Sequence, residues 1–252
     1  MAMRRSIGIL GLTFVAIGGM IGSGWLFAPL RVATEAGPAS ILSWLVGGIA
    51  MLLIALAFAE VCGMLPVAGG IGRVPHFSHG NVVSSVMGWT AWVGYVTTAP
   101  IEAAVMLDYL GTRVPGLERV GGAGDGELTA VGLLAAGLVI AVTVLVNAVG
   151  VRVLTATNTG LTWVKIALPL LISGLFLVDS FRLANFTEVP GGFAPGGIRG
   201  ILAGVSTGGV IFAFIGFRHA IDLAGEARNP KVTVPLSLTL SVVITIGGYL
   251  VM

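Results

Sequence analysis

Seven long apolar stretches constrain the fold of this chain more than any other feature of its sequence. Each one is about as long as the 20 or so residues that carry an α-helix across the hydrocarbon core of a bilayer. The segments between them are rich in Gly, Pro and charged residues, which favour loops. The sequence therefore predicts an all-α membrane protein with about seven spans. The stretches cover residues 7–34, 39–64, 83–111, 128–148, 153–178, 198–227 and 233–252.

The composition supports a membrane location. Hydrophobic residues make up 56% of the chain and charged residues only 10%, whereas an average soluble domain is about 25% charged. The 39 glycines among 252 residues indicate helices that pack closely against one another, because small residues let membrane helices approach. The net charge of +2 is spread along the chain and excludes the basic patch of a nucleic-acid-binding protein. We expect lipid as the surrounding partner.

The positively charged residues favour one orientation. More Lys and Arg fall in the loops that face the cytoplasm if the N-terminus is inside, which is the usual bias of membrane proteins. We therefore expect a multi-pass protein of the cell membrane with a cytoplasmic N-terminus. The seventh stretch reaches Met252 with no loop after it, and this indicates the front part of something longer.

The segment GGMIGSGW (18–25) interrupts the first stretch with glycines and a serine. Two interpretations stay open. Gly18 and Gly22 could form a small-residue face for helix packing. Alternatively, the helix breaks over 21–24, and the exposed N–H groups that open its second half could hold a carboxylate.

A second interruption lies in VIFAFIGFRHAIDLAGEARNP (210–230), where the sequence predicts a break near 214–217, at Gly216. After that glycine the segment becomes amphipathic. Paired Gly-interrupted spans at corresponding places in two halves are typical of a transporter with its site at the bilayer midplane. Here they are the first and sixth spans.

Lys165 lies near the middle of the fifth stretch. It is 13 residues from both Arg152 and Val178, or about 20 Å along a helix in each direction. Its side chain of roughly 6 Å cannot reach water from there, and a charge at this depth costs several kcal/mol. The sequence therefore predicts a lysine in a polar site inside the protein. Because burial disfavours the charged form of an amine, such a lysine could bind and release a proton.

Other charged residues leave alternatives open. Glu102, in TTAPIEAAVMLDY, faces either protein or a cavity, and could be a structural partner of a buried cation or hydroxyl. His76 and His79 have a spacing that metal sites use, but two ligands in a loop are more often solvated. We expect no metal and no cofactor.

Three functional classes remain at this point. The two breaks and the central lysine favour a secondary transporter. Seven spans with one buried lysine are also compatible with a seven-span receptor or a retinal photoprotein, although Lys165 has no obvious counter-ion nearby in the sequence. A membrane enzyme is disfavoured because paired carboxylates, a metal cluster and a nucleophile–base pair are missing from the sequence at either membrane face.

Three motifs resemble the amino acid–polyamine–organocation (APC) superfamily of permeases. They are GGMIGSGWLFAP, AEVCGMLPVAGGIGR and FAFIGFRHAIDLAGEARNPKVTVP. The shorter segments GSGWLFA, RVPHFSHG and APIEA resemble the branch that includes aspartate–proton symporters.

The resemblance implies the inverted five-plus-five fold of the sodium-coupled leucine transporter (LeuT) type, with discontinuous first and sixth helices. Residues 1–178 would then be the first inverted repeat, with span one broken at 21–24. Residues 198–252 would be the truncated start of the second repeat, with span six broken near 214–217. The oligomeric state stays open.

The resemblance also implies a substrate site. The backbone at Ile21, Gly22, Ser23 and Gly24 would bind a substrate carboxylate, and the carbonyls of Phe214, Ile215 and Gly216 would bind its amino group. Phe212 would close over the substrate, and Ala99 and Glu102 would line the pocket. Lys165 would stand where a sodium ion binds in sodium-coupled relatives, and would couple transport to protons.

One departure bears on the substrate. The superfamily commonly has Glu after Phe-Ile-Gly-Phe, where this chain has Arg218. A cation there could attract an acidic substrate, pair with Glu102 or face the cytoplasm, whereas Glu102 would suit a cationic substrate. The resemblance thus implies proton-coupled symport of an amino acid by alternating access, with acidic amino acids as one class, or else exchange of amino acids or polyamines.

Overall fold

The fold is helical throughout the part of the chain that the structure describes. A computed structural model describes residues 5–22, 24–111, 113–117, 128–148 and 151–252, with the backbone alone for Leu26, Asn147 and residues 151–159. No strand occurs in these ranges; the backbone pairs in sheet fashion at the bridge between Ile7 and Ala227. The all-α prediction is confirmed.

The described ranges contain twelve α-helices, joined by loops and short 3₁₀ turns. The 3₁₀ turns are Gly37–Ala39, Ile215–Phe217 and Ala224–Glu226. The α-helices are α1 (Ile9–Met20), α2 (Gly24–Ala36), α3 (Ser40–Met64), α4 (Gly70–Arg73), α5 (His76–Gly111), α6 (Ala130–Ala148), α7 (Val151–Ser180), α8 (Ala184–Thr187), α9 (Gly197–Ser206), α10 (Val210–Phe214), α11 (Arg218–Asp222) and α12 (Pro230–Val251).

Four helical stretches of the described residues are long and apolar enough to cross a membrane. They are Phe27–Met64, Gly160–Ser180, Gly197–Asp222 and Pro230–Val251. Two shorter apolar helices, Ile9–Met20 and Ala130–Val146, fall below that length. The first is short because the predicted first span is divided into two helices. These findings establish a multi-pass membrane protein, while the total of seven spans remains a prediction.

The chain divides into two compact units. One comprises residues 1–84 and 158–252, and the other comprises residues 85–157. The boundaries fall inside α5 and α7.

In the first unit, helices α3 and α12 pack along each other, because glycines on α3 leave room for bulky neighbours. A β-carbon on Gly48 would lie 2.7 Å from Ile246, and one on Gly63 would lie 3.3 Å from Pro235. Larger residues at either position would push the two helices apart.

Helix α1 also packs against α12 in the core of this unit. The hydroxyl of Ser237 donates a hydrogen bond of 3.0 Å to the carbonyl of Ile9, which links the two helices. The core of the unit is a cluster of apolar side chains from the interrupted spans, α3 and α12. Its fully buried members include Leu12, Ile17, Met20, Ala55, Val210, Phe214, Ile221, Leu238 and Val242.

In the second unit, Thr129 caps the start of α6. Its hydroxyl accepts a hydrogen bond of 3.1 Å from the N–H of Gly132 and donates one of 2.6 Å to the carbonyl of Gly116. An N-cap of this kind satisfies one of the N–H groups that a helix start leaves unpaired.

Candidate functional site

The first membrane span is divided between α1 and α2. Helix α1 ends at Met20, and Ile21 has dihedral angles (φ −84°, ψ 80°) that no longer continue it. The N–H of Gly22 donates to the carbonyl of Met20 at 3.0 Å. This hydrogen bond joins residues two apart, whereas those of an α-helix join residues four apart. Helix α2 begins at Gly24, and Ser23 lies outside the described residues. The end of α1 and the start of α2 thus fall at the segment 21–24 that the sequence singled out.

The sixth span departs from regular α-helix at two places. The segment near 214–217, where a break was predicted, contains the 3₁₀ turn Ile215–Phe217 between α10 and α11. An earlier interruption, which the sequence reasoning missed, separates α9 from α10 at residues 207–209. Gly209 there has φ +98°, a conformation that glycine adopts without strain. The adjoining Gly208 and Gly209 were the available signal.

The interrupted parts of the two spans touch each other. A β-carbon on Gly216 would collide with the backbone of Gly19, and one on Gly24 would lie 3.2 Å from the Cα of Ala213. Glycine at these positions lets two backbones approach closely. The structure therefore brings the segments on either side of both breaks into contact, and polar backbone groups of both lie inside the apolar core.

The carbonyls at the end of α1 find partners outside the helix. A helix end leaves its last carbonyls without intrahelical partners. The carbonyl of Ile17 still accepts from the N–H of Ile21 at 2.8 Å. The carbonyl of Gly18 accepts a hydrogen bond of 3.1 Å from the Nζ of Lys165. Interrupting the helix at this point thus creates the acceptor that Lys165 uses.

Lys165 reaches this carbonyl at a side-chain contact between α7 and α1. The rings of Phe14 and Trp163 lie 5.1 Å apart between their centroids, one turn before the lysine contact on α1. The C-terminal end of a helix carries partial negative charge, so it stabilises an ammonium group placed there. The side chain of Lys165 remains accessible from outside the protein, and its contact is with the broken span.

Tyr249 of α12 joins both interrupted spans, and the sequence analysis did not identify it. Its hydroxyl lies 2.8 Å from the carbonyl oxygen of Met20 and 3.4 Å from that of Ala213. The side chain is 2% exposed and packs between the rings of Trp44 and Phe214. A tyrosine near the end of a span is usually read as an interfacial anchor, so the sequence offered no signal for this contact.

The aromatic side chains predicted on the sixth span have different surroundings. Phe212 is 45% exposed on α10. Phe214 is fully buried, with its ring perpendicular to that of Tyr249 at a centroid distance of 5.2 Å. Phe214 therefore offers only its backbone to a ligand, whereas the ring of Phe212 is accessible.

The remaining predicted residues are distributed over both units. Arg218 begins α11 in the first unit and is half-buried. Ala99 and Glu102 lie on α5 in the second unit, on either side of Pro100. Ala99 is exposed and Glu102 is half-buried. Their roles in a pocket remain predictions. Among the described residues, no group of three His, Cys, Asp or Glu side chains could hold a metal ion.

Interrupted membrane helices whose freed backbone groups converge within the bilayer are the arrangement of secondary transporters. The amino acid permease family model matches residues 7–252, and the chain belongs to this family, within the APC superfamily. It is 36% identical over 245 residues to the glutamate/serine transporter AimA of Bacillus subtilis (strain 168), covering 94% of this chain and 44% of the relative.

Two further relatives point in the same direction. The chain is 33% identical to the aspartate-proton symporter of Bacillus subtilis, over 99% of its own length and 47% of the relative. It is 32% identical to human cationic amino acid transporter 4, over 99% of its length and 40% of the relative. These relatives are transporters rather than enzymes. The chain spans less than half of the length of each.

Proposed function

We propose that this chain belongs to a secondary active transporter that takes up an amino acid together with a proton by alternating access. The observation that carries the proposal is the hydrogen bond from Lys165 to the carbonyl of Gly18. It joins a titratable group in the fifth span to the broken first span. Gain or loss of one proton changes the charge of this contact, and so changes how firmly α7 holds α1.

In this scheme the two breaks bind the backbone of the amino acid. The backbone at Ile21 to Gly24, which leads into the N-terminus of α2, receives the carboxylate, as helix N-termini commonly do; the N–H groups of Ile21 and Gly22 exchange their present bonds to Ile17 and Met20 for it. The carbonyls at Phe214 to Gly216 accept the amino group. Phe212, whose ring is accessible, closes over the bound substrate. Proximity of the two breaks through Gly24 and Ala213 supports a single small-molecule site.

Acidic amino acids are the substrate class that we propose first. Two relatives are named for glutamate or aspartate transport. Arg218 follows the 3₁₀ turn of the sixth span and could meet an acidic side chain. Glu102 in α5 would instead favour a cationic substrate, as transported by the relatives named for cationic amino acids.

We further propose the inverted-repeat fold of the LeuT type, with residues 1–178 as the first repeat and residues 198–252 as the start of the second. The bundle of spans one, two, six and seven would rock against spans three and four to open the site to either side. The distribution of Lys and Arg supports a cytoplasmic N-terminus in the cell membrane.

The test is uptake of labelled aspartate by the full-length gene product in proteoliposomes, with and without an inward proton gradient. We expect gradient-driven uptake that unlabelled glutamate inhibits and that arginine and leucine do not. Inhibition by arginine alone would indicate cationic amino acids as the substrate class. Uptake that ignores the proton gradient but requires unlabelled amino acid or polyamine inside the vesicles would identify an exchanger.

The proton role of Lys165 is tested with Lys165→Ala. We expect loss of gradient-driven uptake with retained exchange of internal for external amino acid, since exchange needs no net proton movement. The matched control is Lys231→Ala, which changes the chain's other lysine, an exposed residue in the first turn of α12. Unchanged gradient-driven uptake in Lys165→Ala would contradict the proposal.

A further inference from the structure

His219 packs against the broken end of the first span. It lies on α11 and is half-buried. A β-carbon on Gly19 would collide with the Cδ2 of His219 and would lie 2.9 Å from its Nε2. The imidazole ring therefore rests directly on Gly19, and the absence of a side chain at Gly19 makes room for it.

The neighbouring residue of α1 is the one that binds Lys165. The carbonyl of Gly18 accepts the hydrogen bond from Lys165 at 3.1 Å. Two titratable side chains from different helices thus meet adjoining residues, Lys165 from α7 on Gly18 and His219 from α11 on Gly19. Helix α1 itself carries no titratable side chain over Ile9–Met20, so Lys165 and His219 bring groups that can carry positive charge to Gly18 and Gly19, while the hydroxyl of Tyr249 contacts Met20.

Charged groups surround the imidazole. Those of Asp222, Arg218 and Lys165 are near enough to interact with it electrostatically. Asp222 favours a charged ring, whereas the two cations oppose it. Three other charged residues belong to elements packed against α11. These are Arg73 of α4, Glu226 of the 3₁₀ turn Ala224–Glu226, and Lys231 of α12.

We propose that His219 is a second proton-binding residue of the transporter and exchanges the coupled proton with Lys165 beside Gly18 and Gly19. This inference rests on the proposed function. In the transfer, the ammonium of Lys165 breaks one N–H bond and becomes a neutral amine. A nitrogen of the neutral imidazole accepts that proton, and the resulting imidazolium later releases it to water. Imidazole suits this task because one ring nitrogen can accept a proton while the other keeps its own.

The arrangement holds one proton rather than two. An imidazolium and an ammonium would repel each other across adjoining residues of α1, so protonation of one side chain disfavours protonation of the other. Asp222 offsets the charge on the ring when His219 carries the proton. The proton therefore moves from the contact with α7 to the contact with α11, and so from the fifth span to the sixth.

The first experiment compares two transport modes of the full-length protein in proteoliposomes, for wild type and His219→Gln. Glutamine retains hydrogen-bonding groups but takes up no proton near neutral pH. We expect amino acid exchange within about twofold of wild type, while uptake driven by a proton gradient falls at least about tenfold. The matched control is His79→Gln, which changes an exposed histidine. Gradient-driven uptake in His219→Gln equal to that of this control would overturn the proposal.

The second experiment is independent of transport. The chain has three histidines, so the NMR signals of isotope-labelled imidazole rings can be followed against pH and assigned with His219→Gln. We expect Lys165→Ala to displace the titration midpoint of His219 by at least about half a pH unit, because the two sites are coupled. Lys231→Ala should displace it less. A titration midpoint of His219 that is the same in Lys165→Ala and in wild type would overturn the inference. Wild-type vesicles that transport no amino acid would contradict the proposed function, while this titration would still decide whether the two residues are linked.

Discussion

The hydroxyl of Tyr249 lies 2.8 Å from the carbonyl oxygen of Met20 and 3.4 Å from that of Ala213. One side chain of α12 therefore contacts backbone carbonyls of both the first and the sixth span. A phenol has a single proton to donate, so it favours one carbonyl at a time or divides its bond between them. The geometry makes Tyr249 a positioning residue for the proposed site rather than a ligand for the substrate.

Tyr249→Phe keeps the ring packing and removes only the hydroxyl. We expect the KM for amino acid uptake to rise roughly fivefold, since a net hydrogen bond is worth about 1 kcal/mol and the break would be less well ordered. The maximal rate should change less. The control is Tyr109→Phe, on an exposed side chain of the second unit. Equal KM values for the two variants would show that the hydroxyl of Tyr249 does not position the proposed site.

Gly216→Ala should abolish transport. Its β-carbon would collide with the backbone of Gly19, and backbone cannot move aside as a side chain can. We expect loss of amino acid uptake together with lower thermal stability of the purified protein. Gly247→Ala is the matched control, because a β-carbon at Gly247 has open space around it. That helical substitution should instead raise stability by about 0.5–1 kcal/mol. A Gly216→Ala protein that matches the control in both respects would contradict the close approach.

Removing the hydroxyl of a residue on α1 and removing that of a residue on α12 should change the stability of the protein in opposite directions. The Oγ1 of Thr13 is buried without a hydrogen-bond partner among the described residues, whereas the Oγ of Ser237 donates to Ile9. Thr13→Val should raise the free energy of unfolding by about 1 kcal/mol, and Ser237→Ala should lower it by about the same amount. Thermal unfolding in detergent gives both values, and changes of the same sign would refute the assignment.

The backbone bridge between Ile7 and Ala227 can be tested by cross-linking. We expect the pair Ile7→Cys and Ala227→Cys, in a Cys62→Ser background, to form a disulfide under mild oxidation, because backbone hydrogen bonds hold the two residues side by side, at the close spacing that a disulfide requires. Amino acid uptake should survive the cross-link, since these two segments are already joined. A loss of uptake that a reductant restores would show that they must separate during transport.

Part of this arrangement could be predicted from the sequence, because glycines and a charged residue within apolar stretches can be recognised without knowledge of the tertiary structure. The glycines around Ile21 predicted the end of α1 as one of two open interpretations, the other being a face for helix packing. The depth of Lys165 along its helix predicted a polar site inside the protein. Its side chain is instead exposed among the described residues, and its acceptor, the carbonyl of Gly18, is known only from the tertiary contact. Residue type and spacing thus predict where a helix can end and where a charge lies within an apolar stretch. The group that each residue contacts depends on the tertiary structure.

Other features were missed because they depend on contacts with neighbouring helices. Tyr249 resembles an interfacial tyrosine until its neighbours are known. The sequence prediction placed the break at Gly216 and missed the interruption at 207–209, although Gly209 has a positive φ and Gly216 does not. The 36 residues of α5 are divided by a kink at Gly80, where φ is 78°, and α5 is not among the four stretches that are apolar enough to span a membrane. Its Glu, Asp, Pro and Thr residues weaken the apolar signal that the prediction of seven spans relied upon.

The pairing of the N-terminal segment with the residues after α11 has a consequence for the number of moving parts. Three backbone hydrogen bonds join them, from Ser6 and Ile7 to the carbonyl of Glu226 and from Arg228 to the carbonyl of Ile7. Helix α1 is therefore tied to the sixth span at both of its ends, by this bridge and by the contact between Gly19 and Gly216. These contacts connect α1 to the sixth span at both ends, so we expect the two segments to move together if the proposed site opens and closes.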